Sequence, residues 1–237
     1  MFKDFSIVIA AGGLGTRLSD FRGEDTNKVL LEINGVPMII QQINQLQEWG
    51  LDISKIICIT NPLLHDLIQN TVRSYFSKDI KYVVQPEPLG IAHALSFAEE
   101  NLTTDRLIFI LGDNFFEINP LKDLEINNLG GANVFLKGVS SPQDFGVAEV
   151  EMGNVINIDE KPEKPKTNLA VVGLYVYSSD VFNRIKKLKP SNRGEFEITD
   201  LNKLYIDESS LKATEIKGWW IDAGTPERII ELEKHID

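Results

Sequence analysis

Ile7-Val-Ile-Ala-Ala-Gly-Gly-Leu-Gly-Thr-Arg-Leu18 is an apolar strand that runs directly into a glycine-rich turn carrying one arginine. A strand this apolar belongs inside a sheet covered on both faces, so its turn opens at a strand end, where open α/β sheets collect their ligands. Such a turn exposes backbone N–H groups, and Arg17 adds a fixed positive charge, which together suit a polyphosphate. Glycine fits because a side chain would keep phosphate oxygens at a distance. Two common phosphate motifs do not match. No Gly-Lys pair precedes Ser or Thr, as a P-loop requires. Counted from Gly13, the last position of a Gly-x-Gly-x-x-Gly fingerprint is Leu18, so the helix-packing glycine is missing.

The 237 residues, 43% of them hydrophobic, can bury one sizeable core. The formal charge of −11 argues against nonspecific nucleic-acid binding, which relies on many Lys and Arg contacts to phosphates. A bound nucleotide must therefore rely on local cations and a metal. Cys58, the single cysteine, lies in an apolar strand and reads as a buried, unreactive thiol. Met1-Phe-Lys-Asp-Phe5 lacks the apolar run of a signal peptide and no stretch is long enough for a membrane span, so the expectation is a cytoplasmic protein without a membrane partner.

The first half alternates strands and helices. Short apolar runs at Phe5 to Ala10, Lys55 to Thr60, Ile80 to Val84 and Leu107 to Leu111 read as covered strands. Between them, Pro37 opens and Gly50 closes one helix, Asn61-Pro62 offers an N-cap and first-turn proline for a second, and Gly90 to Leu102 reads as a third. This rhythm predicts a three-layer α/β/α fold with a mainly parallel, Rossmann-like mixed sheet. From Ala132 to Tyr177 four strands, Asn133 to Val139, Gly146 to Glu151, Val155 to Ile158 and Ala170 to Tyr177, follow with short polar connections, which suggests a small antiparallel or mixed β insertion laid over the sheet. Helices return at Ser179 to Leu188, Glu197 to Asp207 and Pro226 to His235. No linker or repeat is visible. The chain reads as a single domain of two halves, residues 1–115 and 116–237, the second carrying a substrate-binding insertion.

Four turns after apolar runs could carry chemistry. Beside the glycine loop, Val84-Gln-Pro-Glu-Pro-Leu-Gly-Ile-Ala92 could present Gln85 and the Gly90 amide to the edge of a base, or be a plain proline-rich turn. Leu111-Gly-Asp-Asn114 places an acid after the most hydrophobic strand, where a hard divalent cation is a natural partner and a turn cap the ordinary explanation. Trp219-Trp-Ile-Asp-Ala-Gly-Thr225 supplies a second acid, Asp222, able to share one magnesium ion or to cap the terminal helix. Lys28 follows the glycine loop, Arg193 precedes a helix and could clamp a phosphate, and Glu160-Lys161-Pro162 could bond sugar hydroxyls or be a surface pair. His65, His93 and His235 have no ligand spacing.

In this order the motifs resemble the sugar-1-phosphate nucleotidyltransferases, and within them the glucose-1-phosphate thymidylyltransferases. The resemblance runs from Ile7 to Thr225 through the glycine loop with Arg17, Asn27-Lys28, Gln85-Pro-Glu-Pro-Leu-Gly90, Leu111-Gly-Asp-Asn114, Phe145-Gly-Val147, Glu160-Lys-Pro162, Val171-Val-Gly-Leu-Tyr175, Arg193-Gly-Glu-Phe-Glu-Ile-Thr-Asp200 and Trp220-Ile-Asp-Ala-Gly-Thr225. It implies Mg²⁺-dependent transfer of a nucleotidyl group to a sugar 1-phosphate with loss of pyrophosphate. On this chain it implies catalytic roles for Arg17, Lys28 and Asp113, and a metal held by Asp113 and Asp222. The nucleotide would meet Ala11, Gly12, Gly13, Gly15, Thr16, Gln85, Pro88, Gly90 and Asp113. The sugar phosphate would meet Asn114, Gly146, Glu160, Lys161, Val171, Tyr175 and Arg193. Phe145 stands where many relatives have Tyr, Glu32 where a Pro usually follows the two leucines, and His93 where Gln is common. The chain runs only a short way past Thr225, so the resemblance implies a short form with weak or no feedback by the nucleotide sugar. It also implies a homo-dimer or tetramer. Gln85 can satisfy more than one pyrimidine, which leaves dTTP, UTP and CTP, other sugar phosphates, and a silent nucleotide-sugar-binding subunit as alternatives.

Overall fold

A computed structural model of the chain describes residues 2–13, 28–126 and 129–236. Gly15, Thr16 and Arg17 lie outside the described residues. The strands are β1 (Phe5–Ala10), β2 (Glu32–Ile33), β3 (Val36–Pro37), β4 (Ile56–Thr60), β5 (Lys81–Val84), β6 (Arg106–Leu111), β7 (Asn114–Phe116), β8 (Ala132–Gly138), β9 (Gly146–Glu151), β10 (Asn154–Glu160), β11 (Leu169–Ser178), β12 (Leu211–Glu215) and β13 (Trp220–Asp222). The helices are α1 (Met38–Glu48), α2 (His65–Tyr75), α3 (Ile91–Ser96), α4 (Val181–Ile185), α5 (Ile198–Asp207) and α6 (Pro226–Glu233).

β1 is β-branched and apolar, and it sits between two parallel partners, Ile7 facing Ile56 of β4 and Ile108 of β6. Its residues alternate between two cores. Ile7 and Ile9 pack with Ile40 and Ile43 of α1 and Ile68 and Val72 of α2. Val8 points the other way, with Leu95 of α3, Phe182 of α4 and Leu201 of α5. Helices thus cover both faces, the three-layer α/β/α arrangement that the strand–helix rhythm implied.

One nine-stranded sheet runs in the order β5-β4-β1-β6-β11-β8-β12-β10-β9. The first four strands are parallel. β11 then pairs antiparallel with β6 from Leu174↔Ile110 to Ser178↔Arg106, which makes the sheet mixed. The strands from Ala132 to Tyr177 are therefore not laid over the sheet but extend it. β11 has both faces buried and reads as a continuous apolar run, so it belongs inside a sheet and not on top of one. The insertion does curl back, because β9 pairs with β10 and again with β11 at Ala170↔Val147.

Three further differences have local causes. The helix expected over Gly90 to Leu102 stops at Ser96, where Phe97 N and Ala98 N bond to Ala94 O and Leu95 O and tighten the chain into a 3₁₀ turn. Asn61 Oδ1 accepts from Leu63 N and Leu64 N, so it caps a turn before α2 and not α2 itself. β12 went unread because Leu-Lys-Ala-Thr-Glu is short and half polar; it becomes a strand through its parallel pairing with β8.

A two-stranded ribbon, β7 with β13, lies outside the main sheet and is held by Phe115, Ile221, Ile229 and Leu232 in a third small core. Cys58 is buried in β4, and that burial pushes its thiol up to about 12, so it is inert. Among the described residues no helix is long and apolar enough to cross a membrane. In the core on the α5 side, the Tyr177 hydroxyl donates to Asn202 Oδ1 at 2.7 Å. Tyr177→Phe strands that buried acceptor and is expected to cost about 1–3 kcal/mol, read as a lower midpoint in urea unfolding.

Candidate active site

The parallel strands deliver their carboxyl ends to one cavity of about 420 Å³, bounded by Gly12 and Gly13 after β1, Gln85, Pro88 and Gly90 after β5, and Asp113 after β6. The glycine turn is pinned from below. Ala11 N donates to Ile59 O at 2.8 Å, and Asn61 Nδ2 donates to Gly12 O at 3.0 Å. Ala11 is itself fully buried in the core and is not on the cavity wall, so it anchors the turn with its backbone only. A Cβ on Gly12 would sit 3.2 Å from the Thr60 carbonyl carbon, which keeps this position small. Gly90 is more constrained. Its φ is +103° and a Cβ there would meet Phe196 O at 2.6 Å, while Phe196 N donates to Leu89 O at 2.7 Å.

Lys28, Asp113 and Asp222 meet at the cavity floor. The Lys28 ammonium donates to Asp113 Oδ2 and lies 3.8 Å from Asp222 Oδ1. Asp113 reaches this point because β6 ends at Leu111, and Asp222 because β13 pairs with β7 in the register Asp222↔Asn114. Ala223 N donates to Asp113 O at 2.8 Å and ties the two segments together. Burial opposes charge on Asp113, but the Lys28 ammonium and a 2.7 Å bond from Asn114 Nδ2 outweigh it and hold the carboxyl below the usual range. Asn114 is the hub of this region: its Oδ1 accepts from Gly173 N at 2.9 Å and from Trp220 Nε1 at 2.7 Å. A Cβ on Gly173 would overlap that amide at 2.6 Å, and the β11 register shifts there.

A second cavity of about 530 Å³ shares Ile91, Leu111, Asp113 and Asp222 with the first. Its walls include Asn114, Gly146, Glu160, Lys161, Val171 and Tyr175. Glu160 Oε2 accepts from Thr199 Oγ1 at 2.6 Å, which orients the carboxylate. Lys161 adopts φ +44° with its N–H on Phe145 O at 3.0 Å, a left-handed turn that sets the residue on the rim. Burial, then the charges of Glu160, Asp113 and Asp222, push the Tyr175 phenol up, so it stays neutral and able to donate.

Arg193 is placed differently from the expectation. It is not among the residues lining either cavity, it is about half exposed, and its guanidinium is committed to Glu197 at 2.9 Å with Glu160 at 3.6 Å. The pairing is made by a tight turn: Gly194 adopts φ +75° and Ser191 N donates to Glu195 O at 2.8 Å, which brings Glu197 within reach of the guanidinium.

Arg228, Thr199 and Phe145 line the second cavity and were not named from sequence as ligand-contacting residues. Arg228 Nη1 lies 3.2 Å from Asp222 Oδ2 and its guanidinium covers the Phe145 ring at 4.9 Å. One signal was available: a cation in the first turn of α6 opposes the helix dipole, so it needs a tertiary partner. Among the described residues no three His, Cys, Asp or Glu side chains cluster as a metal site. Two carboxylates that converge on one ammonium are instead a hard oxygen pair, which suits magnesium, an ion held by one or two carboxylates with water and phosphate oxygens filling the rest.

Residues 6–237 match the nucleotidyl transferase family. A Haloferax volcanii low-salt glycan biosynthesis nucleotidyltransferase is 37% identical over 96% of this chain, and the chain spans 64% of that protein's length. A glucose-1-phosphate thymidylyltransferase of Neisseria meningitidis is 38% identical over 97% of this chain and 81% of its own length. Among solved structures, a Bacillus anthracis protein assigned as a glucose-1-phosphate thymidylyltransferase superposes with a TM-score of 0.84 at 38% identity, covering 98% of this chain and 96% of that one. A UDP-glucose pyrophosphorylase holding UDP-glucose has the same fold, with a TM-score of 0.83 at 23% identity and coverage of 98% and 97%. The chain belongs to the nucleotidyl transferase family, among its sugar-1-phosphate members.

Proposed function

We propose that this chain condenses dTTP with glucose 1-phosphate to give dTDP-glucose and pyrophosphate, with Mg²⁺ as the cofactor. The observation that carries the reading is the shared wall: one cavity suited to a nucleotide and one suited to a sugar phosphate meet at Asp113 and Asp222. Two substrates placed across that wall bring the sugar's phosphate oxygen to the α-phosphorus of the triphosphate, as in-line displacement requires.

Each residue then has a task. The backbone of Gly12 and Gly13 cradles phosphate oxygens at the end of β1, joined by Gly15, Thr16 and Arg17. Gln85, Pro88 and Gly90 hold the base. Lys28 balances charge on the phosphates, and Asp113 with Asp222 would hold the magnesium ion. The ion, when bound, neutralises charge that builds on the phosphate oxygens. Glu160, oriented by Thr199, accepts from sugar hydroxyls, and neutral Tyr175 can donate to them. Asn114, Gly146 and Val171 shape the sugar pocket, while Lys161 and Arg193 face the sugar's phosphate once Arg193 exchanges Glu197 for it. The Haloferax and Neisseria relatives are named for nucleotidyl and thymidylyl transfer, which supports this assignment.

Asp113→Asn removes one carboxylate charge from the cavity floor and is expected to lower turnover by at least about a thousandfold, with an unchanged circular-dichroism spectrum. Pyrophosphate release from dTTP and glucose 1-phosphate checks it, and near-normal turnover would remove Asp113 from the mechanism. In the same assay EDTA should abolish activity and excess Mg²⁺ should restore it. Gly90→Ala must clash with Phe196 O, so it should raise the KM for the triphosphate much more than the KM for the sugar phosphate. An equal rise in both would dissociate Gly90 from the nucleotide cavity.

A further inference from the structure

Gln85 is almost fully buried, 8% exposed, at the end of β5 and on the wall of the first cavity. Its backbone is fixed by Gln85 N donating to Thr60 O at 2.8 Å. Its side chain is fixed as well. Nε2 lies 3.2 Å from Gly90 O and 3.0 Å from His93 Nδ1. A carboxamide nitrogen has two hydrogens, and these two partners use both. Turned over, the amide would set Oε1 against Gly90 O, two acceptors face to face. Gly90 O cannot move away, because it also accepts Ala94 N at 3.0 Å at the start of α3. His93 must therefore present Nδ1 as an acceptor, which places its ring proton on Nε2.

The His93 ring is itself held, stacked on Phe196 at 5.8 Å and edge-on to Phe97 at 5.0 Å. Among the described residues Gln85 Oε1 has no donor, so an acceptor is what remains for a base. Thymine and uracil carry N3–H, a donor; cytosine carries a bare N3, an acceptor. We infer that His93 is a positioning residue: by accepting the second Nε2 hydrogen of Gln85 it strengthens the hold that Gly90 O has on the first, keeps Oε1 toward the base, and so sharpens selection of imide pyrimidines over cytosine. This rests on the nucleotide reading of the first cavity and deepens it, turning a side chain that could serve several pyrimidines into one that serves thymine and uracil.

His93→Phe tests the lock, because it keeps a ring for the stack on Phe196 and removes only the acceptor. In the wild type, kcat/KM for dTTP or UTP should exceed that for CTP by well over tenfold. In His93→Phe that ratio should fall by about tenfold, the worth of one hydrogen bond, because only Gly90 O is then left to hold the amide. A merely structural role would change both triphosphates alike and leave the ratio where it was. A second measurement needs no turnover: long-range ¹H–¹⁵N NMR of the intact nucleotide-free protein should find His93 as the Nε2–H tautomer. An Nδ1–H tautomer, an unchanged ratio in His93→Phe, or a wild type that prefers CTP would each overturn the inference. If no triphosphate is turned over, the enzymatic reading fails separately. Calorimetric binding of dTTP against CTP then decides the base preference, and equal binding or none would overturn the lock.

Discussion

The cleft where the two cavities meet depends on holding two carboxylates beside one ammonium in partly dry surroundings. Like charges repel, and among the described residues Lys28 between Asp113 and Asp222, Arg228 on Asp222 and a backbone ribbon that binds their segments offset that repulsion. That ribbon is stabilised by its own small apolar core, with Phe115 and Ile221 on one side and Ile229 and Leu232 of α6 on the other. The terminal helix thus reaches the chemistry twice, by packing behind the ribbon and by sending Arg228 to Asp222.

The mixed sheet places the two cavities. Its parallel half brings four strand ends to one side, where the glycine turn, Gln85 and Asp113 gather. Its mixed half curls until β9 meets β11 again, and the second cavity lies against that curl. Asn114 joins the halves, because one side chain bonds Asp113, Gly173 of β11 and Trp220 of the ribbon. A chain built this way needs no flexible linker between its two cavities; they share a wall of side chains.

Much of this was legible along the chain. The apolar runs located β1, β4, β5 and β6, since doubly covered strands have few polar residues to obscure them. Acids and glycines immediately after such runs pointed to the strand ends that line the first cavity for the same reason. Arg193 was harder, because its nearest partner is a carboxylate four residues on, across a tight turn, and not a cavity. Arg228 was harder still: its significance rests on Asp222 and Phe145, and only the ribbon brings these together. β12 is neither apolar nor patterned, and it becomes a strand through β8.

By itself, the order of residues determined a covered parallel sheet, a glycine turn at the carboxyl end of its first strand, and two acids after apolar runs, because burial and turn formation depend on neighbours in the chain. It did not determine that the insertion would continue the sheet, that Asp113 and Asp222 would meet at one lysine, or that Gln85 Nε2 would be held by Gly90 O and His93. Those outcomes rest on pairings between distant segments: β11 with β6, β7 with β13, and a histidine on α3 with a glutamine at the end of β5. Each depends on where a side chain finds its partner in space, and only the tertiary structure decides that.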